Sequence, residues 1–536
     1  MRLKSDTEIL DAKTRKQIIE EIKGKENQRR KNECFKRYLC YKDRTSDFVI
    51  EHLLRQFDQS TVLEMAYAIS NISLLRKVVD KLARVYSSGV QREIVGDEVS
   101  TQNMADLEDA LDFNTQIKLT NKFLKLQKNV AMYIKPVPCT DEGENKYKIK
   151  LEPLNPYLYD VVEDYNNRTE PLVYILSDFK YTNPINMNLT TSQMATHNYT
   201  ANVAGAIGTG DGKDQKIADA PEDAKMGEII WWSKNYHFTT DTDGNITSQD
   251  IENPIKKIPF VNFALEQDGQ FWAEGGNDLV DGNVLINSIL THNQHVAITQ
   301  GYGQFWMRGK SLPRNIKVGA NKAILMEYQE GDPTPEIGYA NATPQLVAMG
   351  AMIDRYIALL LTTNNLSTSA VASQLTGTQM AASGIAMVID KAESMEDVMD
   401  QRQIFIDKEP IIWDIINKWI SVYGDNLDDE FKGKNLPEDF EDSFSIEFRD
   451  QPVIMSETEK LNNLKLRRDI GLDSQLDIIM KDNPQLDEQQ AVAKLQEITK
   501  EKLENMQAAQ AVNGVVDGNN QDNGQQKQDG INTQPK

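Results

Sequence analysis

Apolar residues recur at helical intervals through the first quarter of the chain. Ile72, Leu75, Val79, Leu82 and Val85 fall on one helical face, and Gly89 stands where a C-terminal stop belongs. Residues 1–46 precede this run as a polar, basic helical segment, and residues 47–131 read as helical, with a second run from Ala105 to Leu126. Near Asn129 the period shortens to that of strands. Ala131–Pro136, Tyr147–Leu151, Tyr157–Val162, Leu172–Leu176, Ile229–Trp232, Tyr236–Thr240 and Phe260–Leu265 are short β-type runs separated by turn residues. Between them, residues 182–225 are rich in Asn, Thr, Gly and Asp and predict a long surface loop.

After Pro259 the helical period returns. Asp278 to about Gln300 places Leu279, Ile286, Ile289 or Leu290 and Val296 on one stripe. Trp306 to Tyr328 is punctuated by Gly309, Pro313 and Gly319 and ends with strand-like alternation. Leu346 to Leu361 is a strongly apolar helix, with Pro344 suited to its first turn. Residues 364–383 are mostly Ser, Thr, Ala, Asn, Gln and Gly and carry no charge. A long helix follows from about Gly384 to Tyr423. Pro410 inside it predicts a kink and a hinge, because its ring removes one bond and clashes a turn back. Ser443–Phe448 alternates as a strand, and Glu457–Val512 reads as two or three helices split by Gly471 and Asn483–Pro484. Residues 513–536, rich in Asn, Gln, Gly and Asp, predict a disordered tail. The fold class expected is α+β, mainly α-helical.

Composition narrows the function. The 536 residues suggest roughly three to five structural units. With 59 Lys+Arg against 81 Asp+Glu, the formal net charge of −22 argues against wrapping a nucleic acid over the whole surface. Local basic patches remain. Lys23 to Arg44 holds nine Lys/Arg against three acids, either a solvated helix face or a binding segment. Phe305 to Met326 holds Arg308, Lys310, Arg314, Lys317 and Lys322 and no acid. Three cysteines, Cys34, Cys40 and Cys139, point to a reducing compartment. The charged start, Met-Arg-Leu-Lys-Ser-Asp, predicts no signal peptide. Asp354–Arg355 interrupts the best membrane candidate, Pro344 to Leu361, so a soluble protein made inside the cell is expected.

A search for chemistry ends mostly in structure. The one near match to a phosphate loop, Gly205 to Asp214, has Ile207 where the first Gly belongs and Asp214 in place of Ser or Thr. Asp241, Asp243, Asn245, Thr247 and Glu252 have calcium-loop spacing, but Ile246 occupies the position that demands Gly, so a hairpin turn is the stronger reading. His292 and His295 read as exposed helix residues, and the acid-rich loop from Asp425 to Asp442 as a solvated one. Gly384 follows Ser383 without a nucleophile elbow. No catalytic constellation emerges, so no enzyme, cofactor or metal is expected. A nuclease or hydrolase would have to rest on Asp241, Asp243 and Asp250.

The order of parts carries more weight than any one motif. Asn71-Ile-Ser-Leu-Leu-Arg-Lys-Val-Val-Asp to Gly89, Leu154-Asn-Pro-Tyr-Leu-Tyr-Asp-Val-Val-Glu, Lys257-Ile-Pro-Phe-Val-Asn-Phe, Asn277-Asp-Leu-Val-Asp-Gly-Asn to Ser288, Ala382-Ser-Gly-Ile-Ala-Met-Val388 and Phe448-Arg-Asp-Gln-Pro follow one another collinearly. This arrangement resembles the portal protein family of tailed double-stranded DNA bacteriophages, over roughly residues 50–510.

The resemblance implies a wing, stem, clip and crown arrangement forming a ring. Its parts would be a basic N-terminal segment (1–46), a wing that is helical and then β-rich (47–275), a first stem helix (278–302), a clip (303–343) and a second stem helix (344–362). A tunnel loop (364–383), a kinked long wing helix (384–424), an acidic loop with a returning wing strand (425–455), crown helices (456–512) and a tail (513–536) would follow. Tunnel-loop residues would be Asn364, Ser367, Thr368, Ser369, Ser373, Gln374, Thr376, Thr378 and Gln379. Arg308, Lys310, Arg314, Lys317 and Lys322 would face the motor or neck, or centre DNA, and Pro410 would be the hinge. The implied partners are eleven like subunits in a dodecamer, double-stranded DNA passing without sequence specificity, the terminase large subunit, the major capsid and scaffolding proteins, and head-completion or neck proteins, with no membrane. The implied place is the portal vertex of a virion assembled in the bacterial cytoplasm, serving DNA packaging, retention and ejection. A virion adaptor or scaffold protein is the alternative. Thr182–Lys225 is a longer polar insertion than the family pattern requires, and the Gln/Asn-rich C-terminus is untypical of it.

Overall fold

Short polar caps start the N-terminal helices. The Asp11 side chain accepts from Thr14 N–H at 3.0 Å and opens α1 (Ala12–Ile22). Helices α2 (Lys25–Tyr41), α3 (Thr45–Leu54), α4 (Gln59–Met65), α5 (Leu74–Leu82), α6 (Glu98–Ala110) and α7 (Phe113–Gln127) follow. Then come α8 (Asp278–Gln300), α9 (Leu346–Thr362), α10 (Gly384–Tyr423) and the single turn α11 (Phe440–Ser443). The strands are β1 (Arg2–Leu3), β2 (Val90–Ile94), β3 (Asn129–Pro138), β4 (Tyr147–Leu154), β5 (Tyr159–Asp164), β6 (Pro171–Ser177), β7 (Ile229–Ser233), β8 (His237–Thr240), β9 (Phe260–Ala264), β10 (Gln304–Arg308), β11 (Glu336–Ala340) and β12 (Phe444–Phe448). This computed structural model describes residues 2–139, 146–179, 227–266, 269–273, 275–300, 304–308, 334, 336–340, 346–366, 384–449, 465, 474, 479, 492–498 and 500. One unit comprises Met1–Ala381 and Met387–Gln451, and a second comprises Ala382–Ala386 and Pro452–Lys536.

The fold is α+β. A five-stranded sheet has the order β1-β5-β6-β7-β8, with β1 parallel to β5 and the other pairs antiparallel. A three-stranded antiparallel sheet has the order β4-β3-β9. All seven β-type runs predicted between Ala131 and Leu265 are strands in these two sheets. Ile9, Ile18 and Ile19 pack with Val173, Trp231 and Phe238 in a small core. A larger core joins α2, α3, α5 and α7 to β3, β9 and the C-terminal half of α10. Trp413 stacks on Phe113 with ring centroids 4.7 Å apart, and Trp419 donates its indole N–H to Ile134 O at 2.9 Å. Buried rings of this size remove about 150–250 Å2 each from water, about 4–6 kcal/mol each.

Three local expectations change. The run from Ala105 to Leu126 is not one helix: Asp112 takes a left-handed φ of 48° and separates α6 from α7. That corner lets both Leu111 and Phe113 turn inward, which two residues so spaced on one straight helix do not do. The basic stretch from Lys23 to Arg44 is neither wholly solvated nor wholly free to bind, because its middle is buried. Lys31 and Arg30 converge on Asp160 at 2.6 and 2.8 Å, and Arg37 is held by Asn277, Gly275 O and Gln127 O. Residues 90–94, read as helical, are strand β2, which pairs antiparallel with β12 from Val90↔Phe448 to Ile94↔Phe444.

The turn from Asp241 to Asn245 is the expected hairpin. Asp241 Oδ1 accepts the N–H groups of Asp243 and Asn245, and Oδ2 accepts from Asn245 Nδ2. Gly244 provides the left-handed φ of 82° that closes the turn against α1. The run from Glu457 to Val512 and the tail lie mostly or wholly outside the described residues, as does the loop at 182–225.

Candidate functional site

Helix α8, the antiparallel pair β10–β11 and helix α9 succeed one another along the chain, and they carry the features that the sequence singled out. Helix α8 has two inward stripes. One is apolar, with Leu279, Val280, Val284 and Ile286. The other is polar, yet Asn283, Asn287 and Thr291 are fully buried. Their spacing of four puts them on one line, and each meets backbone between Ser70 and Leu74, the extended segment ahead of α5 and its first residue. Asn283 Oδ1 accepts from Leu74 N–H at 3.0 Å, Asn287 brackets Ile72, and Thr291 Oγ accepts from Ser70 N–H at 3.0 Å. A step of one helical turn matches two extended residues, about 6 to 7 Å in each case, so the rungs stay aligned.

Helices α8 and α9 meet where Gly282 leaves room for Leu360. A Cβ at Gly282 would lie 2.7 Å from Leu360 Cδ1. On the strand pair, Trp306 lies opposite Gly338 and covers it, and a Cβ there would come within 2.9 Å of the indole. Arg308 lies opposite Glu336 and is exposed, as are Trp306 and Ile337. Lys310, Arg314, Lys317 and Lys322 lie outside the described residues.

Helix α9 carries apolar side chains on both sides, with Asp354 and Arg355 on the exposed one. Ile353, Leu360 and Leu361 are buried, while Val347 is 89% exposed, Leu359 is 54% exposed, and Met352 and Tyr356 are also open. The helix ends in a Schellman arrangement: Leu366 N–H reaches Leu361 O at 3.0 Å, Asn365 N–H reaches Thr362 O at 3.2 Å, and Asn365 holds a left-handed φ of 55°. Asn364, expected as the first residue of the charge-free loop, is part of this cap and donates Nδ2 to Leu360 O at 2.9 Å. It borders a cleft of about 490 Å3 that also meets Glu266, Asp278, Asp397, Asp400 and Asp407, with Lys125 bound to both oxygens of Asp397. Ser367, Thr368, Ser369, Ser373, Gln374, Thr376, Thr378 and Gln379 lie outside the described residues.

Helix α10 is continuous through Pro410. The preceding residue, Glu409, is fully buried and receives Arg92 through Nε and Nη2, at 2.6 and 3.0 Å, and the Tyr86 hydroxyl at 2.5 Å. Arg92 also bridges Glu108 at 3.1 Å and lies over the Phe113 ring. Burial pushes the Tyr86 phenol well up, and the Glu409 charge adds to it, so the hydroxyl stays a donor. The proposed hinge therefore adjoins a point anchored to β2, α6 and α7.

Sequence reasoning missed Asn283, Thr291, Arg92 and Glu409. A signal existed for the first two, in the i, i+4, i+8 spacing of short polar residues along an otherwise apolar helix. His292 and His295, expected to be exposed, are half-buried, because the α3–α4 corner and the turn after α4 pack over them: Phe57 meets His292 edge-on, and the Tyr67 hydroxyl lies 3.0 Å from His295 Nδ1.

Among the described residues, no three or more His, Cys, Asp or Glu side chains are grouped to hold a metal ion, and no helix is long and apolar enough to cross a membrane. Neither a protein-family model nor a curated protein sequence matches the chain.

Proposed function

We propose that the chain is the subunit of a portal-like ring, a dodecameric channel at one capsid vertex through which double-stranded DNA is packaged, retained and ejected. The observation that supports this reading most is the largely apolar exposed side of α9, broken by Asp354 and Arg355, directly after the β10–β11 pair and directly before a charge-free stretch. A helix with apolar side chains on both sides belongs inside an assembly, and repetition of the chain around a ring would cover that side. The α8–β10–β11–α9 succession corresponds to stem, clip and stem, with Arg308 and its basic neighbours at the clip and residues 364–383 as the tunnel loop.

The charge pattern suits the task. A bore that is largely acidic repels a polyanion and keeps contacts weak, while a few cations near the clip centre it. The carboxylates beside Asn364 belong to the same pattern. Packaging requires ATP hydrolysis, and the sequence has no intact phosphate loop, so the reading assigns the motor to a separate terminase large subunit, with capsid, scaffolding and neck proteins as further partners and a virion as the location. The chain itself is assigned no catalysis and no cofactor.

Native mass spectrometry with two-dimensional class averages of the purified protein tests this. A closed ring with a central hole is expected. An open or irregular polymer without a channel would transfer the chain to the adaptor or scaffold class.

A further inference from the structure

Three of the five histidines meet at one corner. His52 lies on α3, and His292 and His295 lie on α8. The Phe57 and His292 ring centroids are 5.2 Å apart, and Tyr67 and His295 are joined through the hydroxyl and Nδ1 at 3.0 Å. His292 Nε2 is buried and has no hydrogen-bond partner among the described residues. A neutral imidazole tolerates that place as an unused acceptor. An imidazolium does not, since both ring nitrogens become donors and one would be buried, charged and unpaired.

Asp281 and Glu51, the carboxylates that act on His52, are already paired. Asp281 of α8 pairs with Lys36 of α2 at 2.7 Å, and Glu51 of α3 pairs with Arg55 at 2.7 Å. Asp58, which caps α4, accepts from Ser60 and Thr61, and Glu64 on α4 is exposed. Gln56 approaches His52 Nε2 at 3.0 Å, and the turn after α4 contributes only the Tyr67 phenol. Charging the imidazoles would thus gather cations between α3–α4 and α8, where Asp281 and Glu51 are already paired with Lys36 and Arg55. Burial already lowers the proton affinity of His52 and of His292; Arg55 and Lys36 add to it at His52, against a smaller opposing pull from Asp281 and Glu51, and His52 and His295 add to it at His292.

We propose that this corner is an acid-sensitive latch: charging of His52 and His292 releases the segment from Arg55 to Ala68 from α8. That segment is the one that yields because it is held by few buried apolar side chains, Val62, Met65 and Ala68. The direction follows from linkage. Both imidazoles bind protons more weakly in the folded state, so the stability they leave intact is complete above the ordinary imidazole range and is lost as pH falls through the depressed folded values. The latch rests on this corner alone and holds whether or not the chain forms a ring.

Hydrogen exchange followed by mass spectrometry on the full-length protein tests the proposal, at about pH 7.5 and about pH 5.5, either side of the imidazole range, with rates corrected for intrinsic exchange. Peptides spanning residues 55–68 should lose protection by up to about tenfold per pH unit for each extra proton bound on opening, while β6 peptides stay unchanged. In the double variant His52→Gln, His292→Gln the loss should disappear. Should that variant fail to fold, His52→Gln alone should reduce the pH dependence. Equal protection at both pH values, or an undiminished loss in a folded variant, overturns the latch.

Discussion

Asn287 pairs with Ile72 as one strand pairs with another: Ile72 N–H donates to Oδ1 at 2.7 Å, and Nδ2 donates to Ile72 O at 2.8 Å. One carboxamide on a helix thus replaces a whole peptide unit of a neighbouring strand. It sets where α8 stands against the segment before α5.

Replacing Asn287 by Leu keeps the branching and the number of side-chain heavy atoms and removes both bonds. The variant should lose about 1–3 kcal/mol, because two backbone groups and the Ser70 hydroxyl forfeit a partner. Asn287→Asp keeps the acceptor and loses the bonds donated to Ile72 O and Asn283 O, at the cost of a buried charge. Equilibrium denaturation checks both, and an unshifted midpoint for Asn287→Leu would show that the ladder contributes nothing.

The Arg92–Glu409 pair should show the asymmetry of buried charge. Arg92→Met strands the Glu409 carboxylate, and about 3–5 kcal/mol should be lost. Glu409→Met strands the guanidinium and should cost about as much, less what Glu108 still offers. The double variant should be markedly more stable than the sum of the two losses allows, since no unpaired charge remains. Strict additivity in denaturant unfolding would contradict this.

Asp58 should make α4 acid-labile in its own right. Hydrogen bonds from the Ser60 and Thr61 hydroxyls hold its carboxyl down to about 2. The folded value lies below the unfolded one, so the cap's contribution is complete above the ordinary carboxylate range and fades as pH falls toward about 2. Asp58→Asn keeps an acceptor but cannot titrate. Protection of residues 59–65 should therefore fall with acid in the parent and stay level in that variant between about pH 4 and about pH 2, the span of the carboxylate titration.

If the ring reading holds, reversing the clip charge should separate assembly from docking. Arg308→Glu with Lys310→Glu and Arg314→Glu should leave ring formation intact and weaken capture of the motor or neck proteins at least several-fold, most strongly at low salt. Pull-down at two ionic strengths measures it. Undiminished capture would remove these residues from the docking surface.

Much of the secondary structure was legible because its signal is local. The α8, α9 and α10 boundaries and the seven strands from β3 to β9 follow from period and turn residues alone. Strand β2 was not legible. Its inward positions are Arg92 and Ile94, and an inward arginine looks like a break in apolar alternation until its partner is known. That partner, Glu409, lies 317 positions along the chain. The basic run from Lys23 to Arg44 misled for the same reason, since Lys31 is buried only because Asp160 meets it.

By itself, then, the sequence determined the kind of each element and the places where elements stop, since helical and strand periods, caps and turns act within a few residues. Only the tertiary structure decided which charges turn inward, which polar side chains of α8 grip backbone, and which histidines share a corner. Burial of a polar group depends on a partner within about 3 Å, and that proximity is a property of the folded chain rather than of any segment.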